Sequence, residues 1–248
     1  MPEICTEFLG ALTSRNRITR GERSAISARA RNAAGHRTVL VPITHPASGL
    51  IGENDARIVK RMEERAWSVR ESSDDDLDEI AGIYGHWVEH GSGTFELEPP
   101  PPSTIAERRS SILADGFPYL VAVDLDGKLL GYAYASWYRT RPAYRFTCED
   151  SVYVSPAALR RGVGRGLLDE LVHRCTALDF RLMVAVIGDS LNAPSIELHR
   201  RAGFETAGVL HSIGWKHGRW VDTVLMARPL GAGSETAPIE RGRLGQRQ

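Results

Sequence analysis

The segment Val152–Leu168 is the feature that most limits what this chain can fold into. It reads in order as a β-strand, a strand exit at Pro156, a glycine-rich turn and the first turn of an amphipathic helix. Gly162, Gly164 and Gly166 let the backbone turn tightly and bring its N–H groups close to a ligand. Because a helix start carries unpaired N–H groups and the positive end of the helix dipole, this turn predicts a phosphate-binding site.

Three arginines, Arg160, Arg161 and Arg165, add positive charge at the mouth of the same turn. A glycine-rich turn alone is weak evidence, since an ordinary helix start between two strands has a similar composition. The interpretation of this turn as a phosphate-binding site therefore depends on motifs elsewhere in the chain.

The composition is that of a soluble globular protein, and it excludes several classes of function. Hydrophobic residues make up 42% and charged residues 25%, and the formal net charge of zero indicates neither a nucleic-acid nor a membrane partner. The longest apolar run, Leu182–Ile187, is too short to span a bilayer. Cys5, Cys148 and Cys175 are too widely separated for a disulfide framework or a metal site. From the cysteine spacing we expect no bound metal. Because the N-terminus has no long apolar core of a secretory signal, we expect a cytoplasmic protein.

The first 65 residues differ in composition from the rest of the chain. Residues 1–50 contain seven arginines, three glutamates and no lysine. No amphipathic period in this part lasts beyond a turn or two, except at Asp55–Arg65. We therefore expect a flexible extension over residues 1–65, a folded domain over 66–230, and a disordered tail over 231–248, which has few apolar residues.

Periodicity within residues 66–230 predicts a strand, two helices, three antiparallel strands, a helix, a strand, a helix and two strands. Asp126-Gly127 is the strongest hairpin signal, and the third antiparallel strand is expected over residues 143–154. This order predicts one α+β domain with a mixed, mostly antiparallel central sheet that helices cover on both faces.

Six segments resemble one known family in the same order along the chain: Thr94–Pro99, Arg141–Tyr144, Glu149–Pro156, Val184–Gly188, Asn192–Ser195 and Trp215–Asp222. With the glycine-rich turn they resemble the GCN5-related N-acetyltransferase (GNAT) superfamily and its phosphinothricin N-acetyltransferase-like branch. The resemblance covers roughly residues 67–230. It implies acetyl-CoA-dependent transfer of an acetyl group to the α-amino group of a small amino-acid-like acceptor, such as phosphinothricin, methionine sulfone or methionine sulfoximine.

The superfamily's loop pattern is Gln or Arg, two residues, Gly, one residue, then Gly or Ala. With Gly162 and Gly164 as its glycines, the first position is Leu159, whereas a shift by two residues lets Arg161, Gly164 and Gly166 fit fully. The turn and the resemblance together predict a set of residues that bind acetyl-CoA: Val152, Tyr153, Val154, Arg160, Arg161, Gly162, Val163, Gly164, Arg165, Gly166, Asn192 and Ser195. Asn192 and Ser195 could equally be the cap of a short helix.

Glu149 is the candidate general base, because a carboxylate near the acceptor can take the proton of its ammonium group. Along the strand Glu149 alternates with Ser151 and Tyr153, whereas Asp150 shares a face with two valines. If the valines face the core, Glu149 faces a cleft. A β-bulge in this strand would change which residues share a face. The alternative interpretation of Glu149 is a solvent-exposed strand carboxylate without a catalytic role.

Two other side chains are candidates for donating a proton to the CoA thiolate that leaves when the acetyl group is transferred. The resemblance implies that His199 could protonate the leaving thiolate or order a water for the base. The alternative for His199 is a partly buried structural role. Tyr153 is the alternative donor to the thiolate.

Arg141 and Tyr144 resemble the pair that anchors the acceptor in this branch. The planar guanidinium suits a carboxylate, phosphinate or sulfone, and the tyrosine adds a hydroxyl. Phe95 and Arg139 could line the same pocket, although Phe95 could also be a plug under the proline-rich turn. The Trp215–Asp222 turn is expected to be structural, with a dimer contact left open.

Two other functions also stay open. The same fold could acetylate a polyamine, an aminoglycoside or a protein N-terminus, which an anionic pocket in place of Arg139 and Arg141 would favour. A non-catalytic regulator that binds acyl-CoA would be favoured if Glu149 had no access to the cleft. The expected partners are a small-molecule amine and, as an open question, a second copy of the chain.

Overall fold

The structure is a computed structural model and describes residues 67–238. The predicted extension over residues 1–65 and the last part of the predicted tail, residues 239–248, lie outside the described residues. The amphipathic pattern at Asp55–Arg65 lies outside them as well.

Eleven elements follow the predicted order within residues 67–238. The strands are β1 (Trp67–Glu71), β2 (Tyr119–Asp124), β3 (Leu129–Trp137), β4 (Thr147–Val154), β5 (Leu182–Gly188), β6 (Glu205–Lys216) and β7 (Arg219–Pro229). The helices are α1 (Leu77–His90), α2 (Pro102–Ala114), α3 (Val163–Ala177) and α4 (Ala193–Arg201). The predicted α+β architecture is confirmed.

All seven strands form one sheet in the order β1-β2-β3-β4-β5-β7-β6. Neighbouring strands are antiparallel except for β4 and β5, which run parallel. The parallel pairing joins Thr147–Asp150 to Leu182–Ala185 and ends there, although both strands continue. Residues 151–154 of β4 therefore have no partner strand on the β5 side within residues 67–238.

Helices cover both faces of the sheet. Alternation along β2 sends Tyr119, Val121 and Val123 into a cluster with α1 and α2, and sends Leu120 and Ala122 into a second cluster with α3. The α3 stripe in the second cluster comprises Leu167, Leu168, Leu171, Val172 and Cys175. The sheet thus separates an α1/α2 face from an α3/α4 face, and each face contributes different side chains to the site.

One predicted element is wrong at its start. The strand expected from residue 143 begins at Thr147, and Pro142–Tyr144 form a short 3₁₀ turn. A proline lacks the N–H that a strand ladder needs, so Pro142 favours a turn at this place. The hairpin at Asp126-Gly127 is present, with Gly127 at φ +85° and its N–H donating to the carbonyl oxygen of Asp124.

The predicted tail begins with residues that contact the domain. The guanidinium of Arg181 donates to the Gly233 and Ala237 carbonyl oxygens at 3.2 Å and to Thr236 Oγ1 at 3.0 Å. The domain bounds at 66 and 230 stay a prediction. None of the helices within residues 67–238 combines the length and apolar character needed to cross a bilayer.

Candidate active site

The glycine-rich turn forms an uncapped helix start. Gly162 is the N-cap of α3 at φ +79° and has no side chain that could accept from the first turn. Arg160, two residues earlier, also has a left-handed backbone, at φ +60°. No side chain therefore caps the N–H groups of the first turn of α3, and binding of an anion there stays a prediction.

The glycines of this turn do not share one role. A Cβ on Gly166 would lie 2.3 Å from the indole of Trp67, and the Gly166 N–H already donates to the Gly162 carbonyl oxygen. A Cβ on Gly164 would lie 3.2 Å from Val154 Cγ2. The lack of a side chain at Gly166 thus makes room for Trp67, its N–H is already bonded, and contact of Gly166 with a ligand stays a prediction.

The three arginines also differ. Arg165 donates to Asp169 at 2.6 Å and to the Arg201 carbonyl oxygen at 2.8 Å, so its charge is held away from the turn. Arg160 and Arg161 are exposed, and their side chains make no hydrogen bond or ion pair with residues 67–238. Arg160 and Arg161 are the exposed cations beside the helix start.

Two other parts of the predicted coenzyme site have partners within the protein. The Val154 carbonyl oxygen on the free edge of β4 accepts from Trp87 Nε1 at 2.8 Å. Asn192 is the N-cap of α4, where its Oδ1 accepts from the Ser195 N–H at 3.3 Å. The capping role left open for Asn192 is therefore present, and contact of Asn192 and Ser195 with a ligand stays a prediction.

Glu149 lies on β4 just before the point where β4 and β5 separate. No register shift interrupts its pairing with β3 or β5, so the parity of the strand holds. Glu149 shares the α1/α2 face with Tyr153, and its side chain has no hydrogen-bond or ion-pair partner in the described part of the chain. Burial, reinforced by the charge of Asp150 and opposed by Arg139, raises the pKa of Glu149 to about 7.

Asp150 and His199 form a buried pair on the opposite face. Their side chains are 2% and 4% exposed, and His199 Nε2 lies 2.9 Å from Asp150 Oδ2. His199 Nδ1 lies 2.7 Å from the Ser195 carbonyl oxygen. Because a carbonyl oxygen can only accept, Nδ1 carries a proton, and the Asp150 carboxylate favours a second proton on Nε2, which gives the ring a positive charge. Burial opposes this charge, but the hydrogen bond and charge of Asp150 outweigh it and raise the pKa of His199.

This pairing favours the structural alternative that the sequence left open for His199. Neither of its ring nitrogens is free to protonate a thiolate or to hold a water, because both are bonded to oxygens of the protein. Tyr153, the alternative donor, lies on the Glu149 face between the rings of Tyr84 and Tyr132, each 5.2 Å away. Burial raises the pKa of its hydroxyl well above the ordinary value, so this group stays protonated.

Three of the four predicted acceptor residues, Arg139, Arg141 and Tyr144, lie between β3 and β4 in the chain. Arg139 follows β3, lies over the Tyr138 ring and lowers the pKa of Glu149. Arg141 precedes the 3₁₀ turn and is exposed, whereas the Tyr144 ring packs edge-on against Tyr138. Phe95 lies earlier in the chain, on the segment between α1 and α2, and is 40% exposed. The structure joins Arg139 to Glu149 electrostatically and shows no such link for Arg141.

Sequence reasoning missed a group of tyrosines on the same face. Tyr84, Tyr119, Tyr132 and Tyr134 line a small cavity with Arg108 of α2. Tyr134 pairs across the sheet with Ser151, two residues after Glu149. The alternation of Tyr132 and Tyr134 along β3 was the available signal, because it places both hydroxyl groups on one face.

Sequence reasoning also missed the role of Asp150. Its shared parity with the two valines placed a carboxylate toward the core, where it needs a partner.

No group of three His, Cys, Asp or Glu side chains within residues 67–238 is arranged to hold a metal ion.

Comparison with known proteins gives consistent similarities. The acetyltransferase (GNAT) family model matches residues 80–204. The chain is 53% identical to phosphinothricin N-acetyltransferase of Alcaligenes faecalis over 173 residues, which is 70% of this chain and 87% of the relative. It is 40% identical to L-methionine sulfoximine/L-methionine sulfone acetyltransferase of Pseudomonas paraeruginosa over 64% of this chain and 92% of the relative. The crystal structure of a phosphinothricin acetyltransferase of Sinorhizobium meliloti with AcCoA aligns with a TM-score of 0.69 at 49% identity, covering 71% of this chain and 94% of the other.

Proposed function

Because the chain belongs to the acetyltransferase (GNAT) family, it is an N-acetyltransferase that uses acetyl-CoA, and we propose that its acceptors are phosphinothricin, methionine sulfone and methionine sulfoximine. The observation that carries this proposal is the position of Glu149. The Glu149 carboxylate has no hydrogen-bond or ion-pair partner in the described residues, and its pKa is about 7. It lies at the point where β4 and β5 separate. A base with such a pKa works well near neutral pH.

The groups near the point where β4 and β5 separate match the parts of acetyl-CoA that a binding site must hold. The uncapped start of α3 with Arg160 and Arg161 would hold the pyrophosphate. The edge of β4 over residues 151–154, apart from the Val154 carbonyl oxygen that Trp87 occupies, would pair with the amide groups of the pantetheine arm, as an added strand does. The thioester supplies an acetyl group that an amine can accept without a nucleophile from the enzyme, so positioning does much of the work.

The proton transfers are assigned to two residues on one face. Glu149 takes a proton from the ammonium group of the acceptor, directly or through a water, and frees the lone pair that forms the new C–N bond. As the C–S bond breaks, Tyr153 donates a proton to the departing thiolate, and the second proton of the acceptor nitrogen passes to the Tyr153 oxygen, so that the neutral amide forms. Glu149 then releases its proton to solvent.

A thiol-release assay tests the proposal. Full-length protein is mixed with acetyl-CoA and a panel of amines: phosphinothricin, methionine sulfone, methionine sulfoximine, ordinary amino acids, spermidine and an aminoglycoside. We expect the first three to have the highest kcat/KM. A better rate with spermidine or the aminoglycoside would overturn the proposed acceptor class.

Arg139 and Arg141 are proposed to bind the anionic or strongly dipolar end of the acceptor. Loss of a charge-assisted contact of this kind should lower kcat/KM for phosphinothricin by about ten- to a hundredfold in Arg141→Ala, while the KM for acetyl-CoA stays similar. We expect Arg139→Ala also to move the acidic limb of the rate profile to higher pH, because Arg139 lowers the pKa of Glu149. Arg145→Ala is the matched control, because the Arg145 guanidinium lies over the Phe146 ring. An unchanged rate in both Arg139→Ala and Arg141→Ala would contradict the assignment.

We further propose that two copies of the chain associate through the β6–β7 hairpin. β6 is an edge strand of twelve residues, and Ile213, Trp215 and Trp220 on this hairpin are each more than half exposed. A long apolar edge strand is normally covered. Light scattering should therefore give twice the chain mass of 27.3 kDa, and Trp215→Glu should give the monomer. A monomeric wild type would contradict the proposal.

We propose a cytoplasmic location as well. Cys148 and Cys175 are both buried as free thiols, as is usual in a reducing compartment. Cell fractionation tests this placement, and recovery of the protein outside the cytoplasm would overturn it.

A further inference from the structure

The segment Gly91–Glu96 joins α1 to α2 and borders the tyrosine cavity. Thr94 Oγ1 lies 3.1 Å from the Tyr84 hydroxyl. Glu96 pairs with Arg108, which lines the cavity, at 2.7 Å. The segment therefore lies on the α1/α2 face, the face that carries Glu149 and Tyr153.

The turn between β6 and β7 fastens this segment from the other side. Lys216 Nζ donates to the Thr94 carbonyl oxygen at 2.8 Å, and the lysine is only 3% exposed. His217 Nε2 lies 3.2 Å from the Gly91 carbonyl oxygen. A buried ammonium group needs an oxygen partner, and here that partner is the backbone of a segment more than a hundred residues earlier in the chain.

Asp189 is the second fastening point. It follows β5 and is 3% exposed, and its Oδ2 accepts from Ser92 Oγ at 2.6 Å and from the Arg219 guanidinium. Its Oδ1 accepts from the Leu191 N–H, and its carbonyl oxygen accepts from the N–H of Asn192, the cap of α4. One carboxylate thus joins the segment on the acceptor side to the turn that starts α4.

Two glycines let the surfaces approach this closely. A Cβ on Gly188 would lie 2.3 Å from the Ser92 carbonyl oxygen, and a Cβ on Gly214 would lie 2.1 Å from the Phe95 ring. A side chain at position 188 would clash with the backbone of the segment, and one at position 214 would displace the Phe95 ring. The contact between the segment and the β5–β7 region is therefore built into the backbone as well as into the side chains.

From these contacts we infer that Lys216, Asp189 and Arg219 are positioning residues, which hold Gly91–Glu96 as one wall of the acceptor site. The inference rests on the proposed function, since it assigns the wall to the amino-acid acceptor. Phe95 is aimed by the packing of its ring on Gly214, and Thr94 is fixed between Lys216 and Tyr84. Release of the segment should weaken acceptor binding and leave the start of α3 unaffected.

Lys216→Met tests this inference, because methionine keeps much of the side-chain volume and removes the hydrogen bond to Thr94. We expect the KM for phosphinothricin to rise about tenfold and the KM for acetyl-CoA to change less than about twofold. Hydrogen exchange of amides in Gly91–Glu96 should quicken, while exchange in β4 stays as in the wild type. Ser92→Ala removes one hydrogen bond at Asp189 and should give the same pattern at about threefold, even if Lys216→Met does not fold.

Asp222→Asn is the matched control, because Asp222 binds Ser190 and Ser212 and makes no contact with Gly91–Glu96. A purely structural role would lower thermal stability and leave both KM values of the folded protein unchanged. Unchanged exchange in Gly91–Glu96, or faster exchange with an unchanged acceptor KM, would overturn the inference, as would an equal rise in Asp222→Asn. A wild type that acetylates no amine would overturn the proposed function and this inference together, and the wild-type assay alone shows that case.

Discussion

Replacement of Glu149 by glutamine should lower kcat for phosphinothricin by about 10²–10⁴. Glutamine keeps the size of the side chain and cannot accept the ammonium proton at neutral pH. The KM for acetyl-CoA should stay similar, because the start of α3 and its arginines do not contact Glu149. A thiol-release assay with saturating acetyl-CoA measures the change.

The pH dependence of the wild type gives the same test a second readout. Glu149 is active only when deprotonated, and its pKa is raised to about 7. The value of kcat/KM should therefore rise about tenfold per pH unit on the acidic side and level off above about 7. This acidic limb should be absent in Glu149→Gln.

A matched control uses an exposed strand carboxylate. Glu205→Gln changes a glutamate at the start of β6 and should leave both kcat and the pH profile unchanged. A loss below about threefold in Glu149→Gln across the whole pH range would exclude the role of Glu149 as general base.

The strand parity around Glu149 shows how far the sequence alone could go. A period of two residues placed Glu149 and Asp150 on opposite faces, and the structure agrees because β4 pairs with β3 without a bulge. The hairpin at Asp126-Gly127 and the stripe of α3 were also readable, since both signals depend on neighbours in sequence. The start of β4 was placed too early because Tyr144 is aromatic, as strand residues often are, although Pro142–Tyr144 form a turn.

Contacts between distant residues could not be read in this way. Asp150 and His199 are 49 positions apart, and only the parallel pairing of β4 with β5 brings α4 over the Asp150 side chain. Asp189 and Lys216 have ordinary surroundings in the sequence, yet both are almost fully buried against Ser92 and Thr94. Gly166 fits a ligand-binding pattern, whereas its lack of a side chain makes room for Trp67. In each case the partner is set by the packing of the sheet.

The second prediction with a large expected effect concerns the stability that the buried pair of Asp150 and His199 provides. Asp150→Ala should lower the free energy of unfolding by about 3–5 kcal/mol, because it leaves a buried imidazole without its carboxylate. Asp169→Ala is the control: Asp169 pairs with Arg165 on the surface, both about half exposed, and its loss should cost about 0–1 kcal/mol. Urea unfolding followed by tryptophan fluorescence measures both variants.

The pH dependence of this difference has a definite sign. His199 has a raised pKa in the folded protein, so its contribution to stability is fully present below its ordinary value of 6.5. The contribution is lost as the pH rises through the raised value, because the folded protein then releases a proton that the unfolded chain has already lost. The gap between wild type and Asp150→Ala should therefore be largest below pH 6.5 and narrow in alkaline solution. A gap no larger than that of Asp169→Ala, or one that widens with rising pH, would show that Asp150 and His199 are not paired as ions.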